Sequence, residues 1–158
     1  MPINSDGSFW FGSKMRWMRE NIVPILEKHD VDLVLSGHSH DYERSELIHN
    51  HYGTSDTFDP GLHVVQGGGR SYTKPARKGP GNGTVYLVMG SSSKVTQRWA
   101  GVPLSLKHPA MPYSFPLMGS VVLEITGDSL RSSFITVDGD VKDTFVIHKE
   151  GGEQSDPI

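Results

Sequence analysis

The chain has 158 residues, enough for one domain with its own core, and 35% of them are hydrophobic against 21% charged. That balance excludes a wholly disordered polymer. Fifteen Lys and Arg against 18 Asp and Glu give a net charge of −3, so the basic excess of a general nucleic-acid binder is missing. The sequence contains no cysteine, which removes disulfide frameworks, thiolate metal sites and cysteine nucleophiles. No apolar run approaches the length of a membrane span. The opening MPINSDGSFWFG has neither the basic nor the apolar region of a signal peptide.

In chain order, residues 1–12 read as irregular. Ser13 is placed to cap a helix from about Lys14 to Lys28. Met15, Met18, Ile22, Ile25 and Leu26 recur at helical spacing and form its expected buried stripe. Pro24 withholds a backbone N–H and should kink the helix near Glu20. Val31–Leu35 then reads as a short strand buried on both faces of a parallel sheet. A helix feeding such a strand is the second half of a βαβ crossover. Residues 1–12 supply no first strand, so the chain reads as beginning inside a larger domain.

The remainder predicts β-structure with long loops. Strands are expected at Tyr42–Ile48, Leu62–Gln66, Thr84–Met89, Ser120–Thr126, Leu130–Val137 and Thr144–Lys149. Gly127-Asp128 and Asp138-Gly139 sit where hairpin turns belong, so the last three strands should form an antiparallel meander. Two connections are long. Residues 67–83 are Gly-rich with four basic and no acidic residues, and residues 91–118 carry Pro103, Pro109, Pro112 and Pro116.

The chemistry concentrates at His38-Ser39-His40, directly after the parallel strand and Gly37. Ligands bind at the C-terminal ends of parallel strands, and Gly37 permits a sharp turn and close approach. Two imidazoles two residues apart can reach one metal ion or two neighbouring ions. The plain alternative is a pair held by loop hydrogen bonds. A second pair, His49-Asn50-His51, reads as a solvated hairpin. His29, His63, His108 and His148 read as isolated, structural or exposed. His108 is the least settled of them, because long Pro-rich loops often cover sites. Gly67, Gly68 and Gly69 with Arg70 could form an anion nest or simply a solvated loop. The GDxxD run Gly139–Asp143 falls on a hairpin turn. The sequence shows no Ser/His/Asp signature, nucleophile elbow or carboxylate pair, so no catalytic residue is assigned.

LSGHSHDYERS at 35–45 closely resembles the last metal-binding motif of calcineurin-like metallophosphoesterases. Its trailing Tyr-Glu-Arg points to the purple-acid-phosphatase-like branch. The lead-in MRENIVPILEKHDVDLVLSG at 18–37 and GTVYLVMGSSSK at 83–94 are also similar. So are HPAM at 108–111, the meander from Gly119 and DTFVIHK at 143–149, which resemble the bacterial members. Residues 8–149 are covered in all. The resemblance implies an α/β fold, a four-layer αββα sandwich. This chain would be its C-terminal half over residues 1–149: one main N-terminal helix, then a mostly β remainder, with 150–158 a loose tail. It implies hydrolysis of phosphate esters at a two-metal centre of Fe with Zn or Mn, or two divalent ions, where a metal-generated hydroxide attacks phosphorus in line. His38 would ligate one ion and His40 the other, with Tyr42, Glu43 and Arg44 as structural support.

The departures are as informative as the match. In the family an Asp-x-His, a Gly-Asp-x-x-Tyr/Asp, a Gly-Asn-His and a further His precede the GHxH motif. None has a counterpart upstream of His38, although Asn4-Ser5-Asp6 resembles the residues just after that further His. The expectation is therefore a phosphatase or phosphodiesterase fragment, inactive alone, because two histidines are too few for a tight two-metal site. The alternatives are a split enzyme completed by another chain, or a non-catalytic β-rich binding module. The expected partners are a phosphate-ester substrate and either a complementing N-terminal half or a homo-oligomer joined through the open edge of strand 31–35. No nucleic acid or membrane partner is expected.

Overall fold

The computed structural model describes residues 10–76, 79, 81–95, 98–99, 102–103 and 108–150. Two helices open it: α1 (Trp10–Asn21) and α2 (Val23–Lys28). The break at Ile22 follows from Pro24, which cannot donate to the Glu20 carbonyl. The helix starts earlier than expected, so Ser13 lies inside α1 and is not its cap. The predicted buried stripe is also corrected. Met15, Met18 and Ile25 are exposed, as is Trp17. The helices hold to the rest of the molecule through polar contacts, Arg19 Nε donating to the Tyr52 carbonyl at 2.9 Å and Glu27 accepting from Tyr52 and Tyr86 hydroxyls at 2.7 Å.

A five-stranded mixed sheet follows. Its strands are β1 (Leu33–Ser36), β2 (Tyr42–Ile48), β3 (Val64–Gln66), β5 (Thr84–Met89) and β8 (Tyr113–Phe115), in the order β1-β5-β2-β3 with β8 also pairing β2. β1 and β5 run parallel, with Leu33 opposite Val85 and Ser36 opposite Val88. The parallel pairing agrees with the sequence reading, but burial on both faces does not. Among the described residues β1 pairs with β5 alone, and Leu35 is 51% exposed. The stretch 62–66 divides differently from expectation, into the short helix α3 (Pro60–His63), capped by Asp59, and β3.

The second sheet has four strands in the order β4-β11-β10-β9: β4 (Ser71–Pro75), β9 (Gly119–Thr126), β10 (Ser129–Thr136) and β11 (Val141–Glu150). The last three form the expected antiparallel meander, turning at Gly127 and Gly139, whose φ angles are 54° and 86°. Both are left-handed positions where glycine avoids the Cβ penalty. β4 joins β11 in parallel. It was not predicted, and the reading of 67–83 as a solvated loop is corrected over Ser71–Pro75. A 3-10 turn over Ser55–Thr57 and a two-residue pair, β6 (Arg98–Trp99) with β7 (Val102–Pro103), are the remaining elements of the described residues. Residue 150 of the expected loose tail belongs to β11, and 151–158 lie outside the described residues, as do residues 1–9 with Asn4-Ser5-Asp6.

The sheets stack face to face. The buried residues Tyr42, Leu47, Val85 and Leu87 of the first meet Tyr72, Phe134, Phe145 and Ile147 of the second. Tyr42 stacks on Phe134 at 4.3 Å between ring centroids, a contact worth about 0.5–1.5 kcal/mol beyond its burial. Tyr86 points to the opposite face, where it meets Glu27 of α2, so the helices lie over the outer side of the first sheet. No helix of the described residues is long and apolar enough to cross a membrane.

A polar frame runs through this interface. Arg44 of β2 is fully buried and grips Asp143 of β11 bidentately, Nε to Oδ2 at 2.5 Å and Nη2 to Oδ1 at 3.0 Å. It also donates to the Tyr72 hydroxyl at 2.9 Å and the Gly69 carbonyl at 2.9 Å, and lies 3.8 Å from the Tyr113 ring centroid. Tyr42 donates to Asp143 Oδ2 at 2.6 Å, while Tyr72 and Tyr113 both donate to Glu46. Burial works against the Arg44 charge, but the hydrogen bonds and charge of Asp143 outweigh it and keep the guanidinium protonated. Lys74 of β4, also fully buried, ties the sheets at another point through ion pairs to Asp30 at 3.0 Å and Asp32 at 2.7 Å.

Candidate functional site

His38 and His40 stand on the turn Gly37–Asp41, between the C-terminal end of β1 and the start of β2. Both side chains are exposed. His38 takes φ = 76°, a left-handed conformation that costs a non-glycine residue about 1 kcal/mol or more. Such strain persists only where the surroundings impose it. Here the imposing group is Gly90, immediately after β5. Its N–H donates to the Asp41 carbonyl at 3.2 Å. Its Cα lies so close to Ser39 that a Cβ would overlap the Ser39 carbonyl oxygen. The two histidines therefore sit over the C-terminal ends of two adjacent parallel strands, the position the sequence predicts and the usual ligand-binding edge of such sheets.

Two polar atoms beside this turn are left over. Asp41 Oδ1 and Ser91 Oγ are buried without a hydrogen-bond partner, and Ser91 is 0% exposed. Buried polar atoms are normally paired, so these two atoms have hydrogen-bonding capacity that a further group could use. Burial pushes the Asp41 carboxyl up, and the nearby His40 pulls it in the opposite direction. Burial likewise raises Glu43, with the Asp41 charge adding to it. Gly90, Ser91 and Asp41 escaped the sequence reading. The available signal was position, since Gly90-Ser91 ends the strand that pairs with β1.

The donor chemistry fits a metal in kind but not in number. Two imidazoles and a carboxylate are suitable ligands for Zn, Fe or Mn, yet no group of three or more His, Asp or Glu able to hold a metal ion occurs among the described residues. Tyr42 and Arg44 belong to the buried frame, consistent with structural roles.

The other sequence candidates fall elsewhere. Gly69 does not open an anion nest. It is buried beneath Tyr113, whose hydroxyl would overlap a Cβ there, and its carbonyl accepts from Arg44. Residues Asp138–Asp140 form the expected turn, but Asp143 of the same run is the counter-ion of Arg44. His29 and His148 are exposed, His148 with its Nδ1 2.9 Å from Ser129 Oγ. His51 is not on a solvated hairpin, nor are His63 and His108 isolated. These three rings gather at the far end of β2.

No protein-family model matches the chain. Over 79 residues it is 35% identical to a protein of Arabidopsis thaliana named "Probable inactive purple acid phosphatase 24", a match covering 42% of this chain and 12% of that protein. The structure superposes on the purple acid phosphatase PPD1 from yellow lupin (Lupinus luteus) seeds with a TM-score of 0.60 and 21% identity, covering 82% of this chain and 20% of the lupin chain. The chain thus spans a fifth or less of the length of these relatives. The superposition shows a mixed α/β, mostly sheet fold similar to part of the lupin purple acid phosphatase.

Proposed function

We propose that this chain is the C-terminal part of a metal-dependent phosphate-ester hydrolase of the bacterial purple-acid-phosphatase-like branch, contributing His38 and His40 as ligands to two metal ions. The observation that carries this reading is the His38–Asp41 turn, held in a strained conformation against Gly90 at the C-terminal ends of β1 and β5. The similarity in fold to purple acid phosphatase supports it. Bound ions would polarise the ester and supply a hydroxide nucleophile. The part of this chain is narrower. His38 and His40 would present lone pairs, Gly37 leaves room for close approach, and Asp41 and Ser91 offer further polar atoms behind the turn. The remaining ligands, and the outer layer that would complete a four-layer sandwich, come from polypeptide beyond this chain, so it is inactive alone. A complementing N-terminal half is the expected partner, with β1 its edge of attachment.

A non-catalytic β-rich module is the second reading. It is favoured by the name of the Arabidopsis relative, which describes that protein as inactive. Metal analysis and complementation separate the two. The chain, alone and mixed with a separately produced N-terminal half of a related phosphatase, is loaded with Zn, Mn or Fe and assayed on p-nitrophenyl phosphate. The hydrolase reading expects metal uptake and activity in the mixture only, both lost in His38→Ala/His40→Ala. Equal metal content in the wild type and the double variant would overturn it.

A further inference from the structure

Three imidazoles meet at the end of the first sheet opposite His38 and His40. His51 follows β2, His63 ends α3, and His108 opens the turn that leads into β8. The His51 ring centroid is 4.9 Å from that of His63 and 6.4 Å from that of His108. Phe58 closes the group, edge-on to His51 at 5.1 Å and stacked on His63 at 5.6 Å.

Main-chain partners fix where the protons sit. His51 Nε2 lies 3.2 Å from the Thr54 carbonyl and 3.2 Å from Thr57 Oγ1. A carbonyl only accepts, so Nε2 carries the hydrogen and Nδ1 the lone pair. His63 Nδ1 lies 3.2 Å from the His49 carbonyl and carries its hydrogen for the same reason. His108 is the reverse. Its Nδ1 accepts from the Ala110 N–H at 3.1 Å, so that nitrogen must be unprotonated. The surroundings of His51 and His108 favour neutral rings. Arg19 of α1 adds a fixed positive charge near His51 and His108. Glu27 of α2 is the acidic group near His51, but it already accepts from the Asn50 N–H and from Tyr52 and Tyr86.

We propose that His51 and His108, packed with His63, form a proton-operated latch, closed when the His51 and His108 rings are neutral, that holds the His108–Met111 turn leading into β8 beside His51, just beyond the end of β2. Protonating His108 converts its Nδ1 from acceptor to donor, which sets two N–H groups against each other at Ala110. Protonating His51 places a second cation beside Arg19. Burial, then the neighbouring His51 and Arg19, hold His108 below its ordinary value; burial, then His63, do the same for His51. A folded value below the unfolded one means that the unfolded chain binds protons first as pH falls. The latch contribution is therefore complete above about pH 6.5 and is lost as pH drops below it. The device is independent of metal at His38 and His40.

The test follows the Ala110 amide by NMR hydrogen exchange on the metal-free full chain at pH 7.5 and 5.5, corrected for intrinsic exchange. His108→Asn is the comparison, because its Oδ1 can replace the acceptor but cannot take up a proton. Protection at Ala110 should fall several-fold, up to about tenfold, at pH 5.5 in the wild type and clearly less in the variant. Equal protection at both pH values in the wild type, or the same acid loss in the variant, overturns the proposal. Should the variant not fold, the imidazole shifts of the wild type decide: His108 titrating below 6.5 supports the latch, and at or above 6.5 overturns it.

Discussion

The chain carries two His-x-His pairs at the two ends of one strand, and they lead different lives. His38 and His40, before β2, are exposed over the C-terminal edge of a parallel strand pair. His51, after β2, is packed among His63, His108 and Phe58, while His49 lends its carbonyl to His63. The spacing of two residues is the same in both. The difference lies in what each turn abuts. Gly90 packs against the first turn, where both histidines stay exposed, whereas α3 and the His108 turn close over the second. An HxH motif is thus a ligand candidate or a packing cluster according to its neighbours.

Four changes break or sharpen that contrast. The largest effect should come from Asp143→Ala, which removes the frame common to both ends. It leaves the Arg44 charge buried without its partner, and loss of one member of a buried ion pair costs about 3–5 kcal/mol. Urea unfolding should show both ends destabilised together. Gly90→Ala comes next. Its Cβ would meet the Ser39 carbonyl, a backbone group that cannot yield cheaply, so a cost of about 1–3 kcal/mol is expected. Amide shift changes should concentrate at residues 37–41 and leave Thr54 and Thr57 unmoved. His51→Ala removes two hydrogen bonds and three ring contacts and should cost about 1–2 kcal/mol in thermal melts, without altering metal uptake. The smallest effect belongs to His38→Gly. Glycine relieves the left-handed strain but adds unfolded-state freedom, so stability should stay within about 1 kcal/mol of the wild type. Metal uptake in the completed assembly should nevertheless be lost. A large stability change in His38→Gly, or metal loss in His51→Ala, would mean the two pairs are not distinct.

Much of the frame was legible in the residues. β2 and β5 appear at their predicted limits, β5 because a run of β-forming residues, Val85 to Val88, lies between Gly83 and Gly90. The meander is legible for the same reason, with Gly127 and Gly139 marking its turns. The short run ending at Gly37 identified the edge where His38 and His40 stand. β4 was hidden, since a strand containing Lys74 among glycines and basic residues looks like solvated loop. Lys74 is burial-competent only because Asp30 and Asp32, more than forty positions earlier, meet it.

Local pattern therefore determined where most segments extend, where they turn, and where the His38 and His40 pair would sit, because these depend on neighbours within a few residues. Tertiary structure alone decided which polar groups are buried and which apolar ones are left outside. Arg44 needed Asp143 from the far end of the chain. The Met15–Met18 stripe needed a covering surface that the described residues do not provide. The three-histidine cluster needed segments some sixty residues apart to meet. Burial and charge pairing are properties of contacts between distant segments, and sequence spacing does not encode them.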